Sequence, residues 1–420
     1  MNVLLVTPVE VGSGETVTAR YLGRALVNRG HRVHFLASSF AERFLRDEFS
    51  LNTWTLGTDG PTNVALWWRA IRTLRPNVIV FADYPLMFWR NGLAPLAREP
   101  GWATSLLDLD VPLVTLDHFG FAQGPMGIFL GPPHLTHEYH RFEANPSRMH
   151  IMLPCPMHAP GNVTGRRGEP FRYWDVPLAI SADARTATRR KYLRHQDELL
   201  VLHIVSNWAW KSAESLGLSF YRHLGQLLLE YFAPLMRDVT VVSLNNGSLL
   251  GSASLRGARI VDIEPVTPPE FDNLLFSADL LLTENKASIS VGKAVCGLQP
   301  AAVLKNSFGV LELLDRNSGR LRELICAMER DRLGSVFPFE VYPTDMRETL
   351  EKIVLFRDNT LTDGFAELEV FGGAETEAAL SELLTHAPRR AGMRANQQRY
   401  VEQLRALDDG ATVLERLTHH

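Results

Sequence analysis

The chain opens on an apolar run, Val3-Leu4-Leu5-Val6, within Asn2–Thr7, which reads as a short buried strand. A loop with two glycines follows over 9–15. From 16 to 28, Val17, Tyr21, Leu22, Ala25 and Leu26 recur at the spacing of one helix face. Gly30 stands where that helix should be capped, and 32–37 returns to strand. Strand, helix and strand in that order predict a parallel sheet, because the crossover must lie on a sheet face. The rhythm continues with a helix over 63–73 and strands over 77–82 and 112–116. Residues 119–133 are rich in glycine and proline and predict a long loop.

A second series begins further on. Residues 160–177 are dense in glycine and proline and carry Arg166-Arg167, which marks a connection. A basic helix over 186–194 follows. Then come strand 199–205, helix 216–231, strand 238–244, strand 259–263, helix 269–276, strand 279–283, helix 287–296 and strand 301–304. The expected fold class is therefore α/β, with two doubly wound Rossmann-like domains facing each other across a cleft. Boundaries are expected at 1–165 for the first domain, 166–197 for the linker and 198–365 for the second domain. Residues 366–420 read as helices, open to pack back on the first domain or to mediate pairing of chains as a homodimer. Doubly wound sheets bind ligands beyond the carboxyl ends of their strands, so residues just past a strand are the first candidates for chemistry.

Composition narrows the class. The 420 residues are 45% hydrophobic, enough for sizeable cores. Forty-three basic residues stand against 47 acidic ones, a net charge of −4 with no massed basic block, which argues against nucleic-acid binding. Three cysteines, Cys155, Cys296 and Cys326, make neither a disulfide framework nor a zinc spacing. The first residues lack the basic region and cleavage site of a signal peptide, and no run reaches the roughly 18 apolar residues of a membrane span. A cytoplasmic protein is expected.

The loop Gly12-Ser13-Gly14 invites comparison with dinucleotide sites. The third glycine of that fingerprint is replaced by Val17, and the second strand ends Ala37-Ser38-Ser39 without the acid that holds a ribose. A tight turn, or a loop lining a cleft, are the readings left.

Five stretches taken in order resemble glycosyltransferases of the GT-B fold, nearest the UDP-glycosyltransferases and the peptidoglycan lipid N-acetylglucosaminyltransferases. They are the opening MNVLLVTPVEVGSGETVTARYLGRALVNRGHRVHFLAS, the strands RPNVIVFADYP and DVPLVTLDH, the segment ARIVDIEPVTPPEFDNLLFSADLLLTENKASISVGKAVCGLQPAAVL, and FGGAETEAALSELL. The resemblance implies an acceptor-side first domain and a donor-side second domain. It implies a nucleotide-sugar co-substrate, UDP- or dTDP-linked, no cofactor and no metal. The helix start at 287–290 would then cradle a diphosphate through free N–H groups, with Ser288 and Ser290 adding hydroxyls.

The departures from that pattern bear on the chemistry. Glu15 stands where the family commonly has a histidine base, and a carboxylate there needs burial to reach a useful pKa. Glu284 stands where a basic phosphate contact is usual, with Lys286 the candidate to pair with it. The ribose-holding acid falls on Gly292, and the Gly-x-Pro end is stretched to Gly297-Leu298-Gln299-Pro300. His118, beside Asp117, is an alternative base. Asp83, Tyr84 and Asn306 sit past strands where an acceptor or a sugar would lie, although strand-end polar residues are common without any such role. Gly12, Gly14, Asn207, Lys211, Glu284, Asn285 and Lys286 complete the donor and phosphate candidates. Trp208 and Trp210 can stack on a base or sugar, or simply pack. His134, His137 and His140 fall within about 120° of helical arc, yet match no zinc signature and read as a polar helix face.

The expectation is a metal-independent transferase moving a sugar to a small-molecule acceptor, in bacterial secondary metabolism. Two alternatives stay beside it: a non-catalytic partner or activator of the same fold, and an enzyme of different chemistry on that scaffold.

Overall fold

A computed structural model describes residues 1–84, 102–118, 149–331 and 358–418, together with 120, 122 and 356. Interruptions fall at 9, 11–13, 107, 162–165, 207–209, 212, 215–216, 218, 236, 246–252 and 309. The chain divides into two compact units. One holds Met1–Asp175, Glu348–Asn359 and Gln403–His420; the other holds Val176–Arg347 and Thr360–Glu402.

The first unit is built on a seven-stranded sheet. Its strands are β1 (Asn2–Thr7), β2 (Arg32–Ser38), β3 (Thr53–Leu56), β4 (Val78–Phe81), β5 (Leu113–Leu116), β6 (His150–Cys155) and β7 (Glu169–Arg172), in the spatial order β3-β2-β1-β4-β5-β6-β7. Every pairing is parallel. Such strands are covered on both faces, which explains why Val3, Leu4, Leu5 and Val6 form an unbroken apolar run with no exposure at all. Each buried aliphatic side chain of this kind contributes about 1.5–3 kcal/mol. Helices α1 (Gly14–Asn28), α2 (Ser39–Phe49) and α3 (Gly60–Leu74) connect the first strands. Ser38 caps α2 by accepting from the Ala41 N–H, and Asp59 caps α3 by accepting from Thr62. A short helix, α4, follows at Trp102–Leu106.

The second unit repeats the plan with β8 (Leu199–Ile204), β9 (Val239–Leu244), β10 (Ala253–Leu255), β11 (Ala258–Ile263), β12 (Leu280–Thr283), β13 (Ala301–Lys305) and β14 (Ala366–Glu369), ordered β10-β11-β9-β8-β12-β13-β14. Only the edge pairing of β10 with β11 is antiparallel. Its helices include α5 (Ala182–Tyr192), α6 (Phe220–Phe232), α7 (Pro268–Ser277) and α8 (Ile289–Cys296). Further along are α9 (Val310–Arg316), α10 (Gly319–Asp331), α11 (Ala374–Thr385) and α12 (Ala387–Arg405). Phe220, Leu224, Leu228 and Tyr231 line one buried stripe of α6 against Val241, Leu282 and Leu304. The last helix, α13 (Gly410–Thr418), belongs to the first unit and packs on α1, β6 and β7.

The expected α/β architecture of two doubly wound sheets is thus present. Several elements went unforeseen: α2, β3, β6, β7, β10 and β14. β7 reads Glu-Pro-Phe-Arg, one buried aromatic among polar neighbours, and lies inside the stretch expected to connect the halves. In each sheet the strand order reverses beside the first strand of its unit, between β1 and β4 and between β8 and β12. Loops leave those neighbours toward opposite faces, which opens a crevice at their carboxyl ends.

Candidate active site

At the switch point of the first sheet, three strand ends supply polar residues. After β1 the chain enters α1 with Gly14 and Glu15. After β4 come Asp83 and Tyr84, and after β5 come Asp117 and His118. Glu15 is only 4% exposed, and its Oε2 has no hydrogen-bond partner among the described residues. Burial pushes its carboxyl up to about 7, opposed in part by a hydrogen bond from its own backbone. The His118 ring lies against the helix start. A methyl group at Gly14 would come within 3.3 Å of His118 Nε2. The other ring nitrogen, Nδ1, lies 3.4 Å from Thr18 Oγ1.

The His118 backbone is held by Asp83, whose Oδ2 accepts its N–H at 3.1 Å. Asp117 is buried next to His118 in the chain. Its Oδ1 accepts the Ala122 N–H at 3.2 Å, and its carbonyl accepts from His158 Nε2. Burial lowers His118 to about 3, with the neighbouring His158 as the second cause. His158 falls to about 4, again chiefly through burial. Both rings are therefore neutral near pH 7. Tyr84 is a core residue: fully buried, it meets the Phe81 ring edge-on at 5.3 Å, and its N–H donates to Thr115 Oγ1.

At the switch point of the second sheet stand His203 on β8 and Glu284 just past β12. His203 Nε2 lies 2.6 Å from Glu284 Oε1. Asn245 donates from Nδ2 to Asp262 Oδ1 at 3.0 Å and to Ser243 Oγ at 3.1 Å, and Ser243 Oγ lies 3.3 Å from His203 Nδ1. The partner of Glu284 is therefore His203 and not Lys286, which pairs with Glu367. Lys305 pairs with Glu367 at 3.2 Å. Asn285 donates to Ser206 Oγ at 2.7 Å. Helix α8 starts at Ile289, with Ser288 as its cap: the Ser288 hydroxyl accepts the Ser290 N–H at 3.2 Å, and Ser290 is buried. Asn306 closes the turn after β13 by exchanging hydrogen bonds with Phe308, Nδ2 to O at 3.0 Å and N to Oδ1 at 3.2 Å.

These two strand-end sites sit in a chain whose family is recognisable. A family model described as a family of unknown function, DUF6365, matches residues 22–420. The chain belongs to the DUF6365 family. No curated protein matches it in sequence. Among solved structures, the glycosyltransferase SnogD from Streptomyces nogalater shares 13% identity over 100% of this chain and 99% of its own, with a TM-score of 0.53. The spinosyn forosaminyltransferase SpnP aligns at 13% identity over 99% of this chain and 98% of its own, with a TM-score of 0.55. The spinosyn rhamnosyltransferase SpnG, solved with thymidine diphosphate, aligns at 13% identity over 99% and 100%, with a TM-score of 0.53. At such identity the likeness speaks to fold, and the fold of this DUF6365 chain is GT-B.

In this DUF6365 protein the first-unit candidates Gly14, Glu15, Asp83, Asp117 and His118 gather at one switch point, and Glu284 and Asn285 end the strand at the other. Lys211 is exposed. Trp210 packs against the core of the second unit. Gly12, Asn207, Trp208, His134, His137 and His140 lie outside the described residues. Among the described residues, no three His, Cys, Asp or Glu side chains gather as a metal-binding group, and no helix is long and apolar enough to cross a membrane. Sequence reasoning missed Thr18, His158 and His203. His203 carried a signal, being the one polar residue in the strand Leu-Leu-Val-Leu-His-Ile. Thr18 follows Gly14 by one helical turn, but its use depends on where β5 ends.

Proposed function

We propose that the protein is a glycosyltransferase that moves a sugar from a nucleotide-activated donor, UDP- or dTDP-linked, to a hydroxyl or amine of a small-molecule acceptor. The observation that carries this reading is Glu15: a buried carboxyl at the first-unit switch point, with an unpartnered oxygen and a pKa raised to about 7. Transfer needs a base for the acceptor proton, and a base works best with a pKa near the working pH. His118 is the poorer candidate, because burial leaves it near 3. The magnitudes thus separate two residues that look equivalent in the sequence: Glu15 takes the proton, and His118 stays neutral. In this reading the leaving diphosphate is met by the start of α8 and by Lys211, without a metal ion. Asn306 lies toward the sugar, and the setting is bacterial secondary metabolism.

The GT-B fold and its glycosyltransferase neighbours support the reading, and SpnG is solved with thymidine diphosphate. Calorimetric titration with UDP, dTDP and GDP tests it. Micromolar binding by one of them, about −8 kcal/mol, is the expected result. Folded protein that binds none of the three would sink it.

One observation favours a second reading, a non-catalytic partner protein of the same fold. Glu284 places a carboxylate at the second switch point, held by His203, where an anionic ligand would need a cation. The same titration separates the two, since a protein without a donor site binds no nucleotide.

A further inference from the structure

Two buried polar atoms flank the passage from β1 into α1. Thr7 ends β1 at 1% exposure, and its Oγ1 meets no hydrogen-bonding group among the described residues. The same holds for Oε2 of Glu15, in the first turn of α1. Both side chains lie in the layer between sheet and helix. A methyl group at Gly23 of α1 would come within 3.2 Å of Leu5 Cδ1, so the Leu5 side chain lies under α1. Side chains two apart on a strand share a face, which puts Thr7 on that side as well. On the helix, Glu15, Ala19, Leu22, Gly23 and Leu26 are buried at the spacing of one stripe, the stripe that carries Gly23. The helix starts where β1 ends, so Glu15 and Thr7 stand at the same end of that layer.

A buried hydroxyl or carboxyl oxygen without a partner costs stability. Thr7 Oγ1 and Glu15 Oε2 do not bond each other. One oxygen placed between them would satisfy both, by accepting the Thr7 proton and donating its own to Glu15.

We propose that Thr7 is a substrate-binding residue that selects a hydroxyl, and not an amine, as the reacting group of the acceptor. The proposal rests on the transferase reading with Glu15 as base. An alcohol oxygen has one proton and two lone pairs. Its proton goes to Glu15, one lone pair accepts from Thr7, and the second attacks the sugar's anomeric carbon. That carbon–oxygen bond forms as the bond from the same carbon to the diphosphate breaks, and the electron pair leaves with the diphosphate. A neutral amine has a single lone pair. If Thr7 donates to it, nothing remains for attack. If the amine donates to Thr7 instead, the Thr7 proton stays buried without an acceptor.

Thr7→Val keeps the shape of the side chain and removes the hydroxyl. Its urea midpoint, measured on the full-length protein without ligand, should equal or exceed that of the wild type, because no hydrogen bond is lost. A midpoint clearly below the wild type shows that the hydroxyl is already satisfied within the protein, and overturns the proposal. Both proteins should bind the nucleotide equally in calorimetry. Failure of the transferase reading shows separately, as a wild type that binds no nucleotide.

Turnover gives the second readout, with the glucose conjugate of the bound nucleotide as donor and phenol or aniline as acceptor. The two probes share one skeleton and differ in hydroxyl against uncharged amine. Wild type should use phenol roughly tenfold faster, the worth of one hydrogen bond. Thr7→Val should lose that preference and Thr7→Ser should keep it. Aniline used as fast as phenol by the wild type, or a preference untouched in Thr7→Val, overturns the proposal. An enzyme inactive on both probes leaves the unfolding comparison to decide.

Discussion

His203 Nε2 and Glu284 Oε1 are 2.6 Å apart at the carboxyl ends of two neighbouring strands, with the side chains 0% and 3% exposed. Glu284 and His203 face each other because β12 pairs with β8 in register, Leu282 against His203. A buried pair of this kind is weak evidence of net stabilisation, yet removing one member is costly because the other stays buried without its partner.

His203→Leu should therefore lower stability by about 3 kcal/mol, whereas His203→Leu combined with Glu284→Leu should recover most of the loss. Denaturant unfolding of the two variants and the wild type, followed by a probe in the second unit, measures the difference. A double variant no more stable than the single one would show that the pair does more than satisfy itself.

The first unit offers a contest between close packing and surface charge. A methyl group at Gly410 would come within 2.8 Å of Phe171 Cδ2 and 3.0 Å of Leu22 Cδ1, in a buried spot with a rigid ring. Nearby, Arg29 bonds Asp409 at 2.7 Å and Glu415 at 2.9 Å, with all three side chains a quarter or more exposed. Overpacking costs roughly 1–3 kcal/mol, and exposed ion pairs contribute about 0–1 kcal/mol. Gly410→Ala should thus lower the thermal midpoint more than Arg29→Ala does. The reverse order would mean that charge, not packing, seats α13.

The sheets were legible because parallel strands covered on both faces leave long apolar runs, as in Val3–Val6 and Leu280–Leu282. Where a strand carries little apolar content, as β7 does in Glu-Pro-Phe-Arg, the signal is one buried Phe171 and no pattern. Site residues followed the same division. Glu15, Asp83, His118 and Glu284 could be named because each directly follows a strand or a loop at a strand end. Their partners could not, since Thr18 with His118 and His203 with Glu284 meet across 100 and 81 residues of chain. Spacing does not report such contacts. The expected Glu284–Lys286 pairing failed for a related reason: three residues past β12 the side chain has turned toward Glu367 on β14.

Glu15→Gln keeps the size of the side chain and removes its basicity. It should lower turnover about 10²–10⁴-fold, the usual contribution of a general base, with nucleotide affinity unchanged. Steady-state kinetics with the nucleotide donor identified by calorimetry reads this directly. His118→Gln should cost less. If the histidine variant loses the more activity, the base assignment reverses.

The buried groups of the first unit also set opposite slopes of stability with pH. Glu15 is raised from the ordinary 4.5 to about 7, so the folded state holds its proton more tightly than the unfolded chain. Its favourable contribution is complete below about pH 4.5 and fades as pH rises through 7, a change of about 3 kcal/mol. His118 and His158 are lowered from 6.5 to about 3 and about 4, so the folded state resists protonating them. Their contribution is complete above about pH 6.5 and fades as pH falls toward 3–4. Glu15→Gln removes only the first slope. The variant should match the wild type near pH 4 and exceed it in stability at pH 8. Urea unfolding of both proteins at those two pH values, followed by a probe in the first unit, makes the comparison. A stability difference between the two proteins that does not change with pH would mean that Glu15 titrates as an ordinary solvated carboxyl, and would take with it the argument for Glu15 as the base.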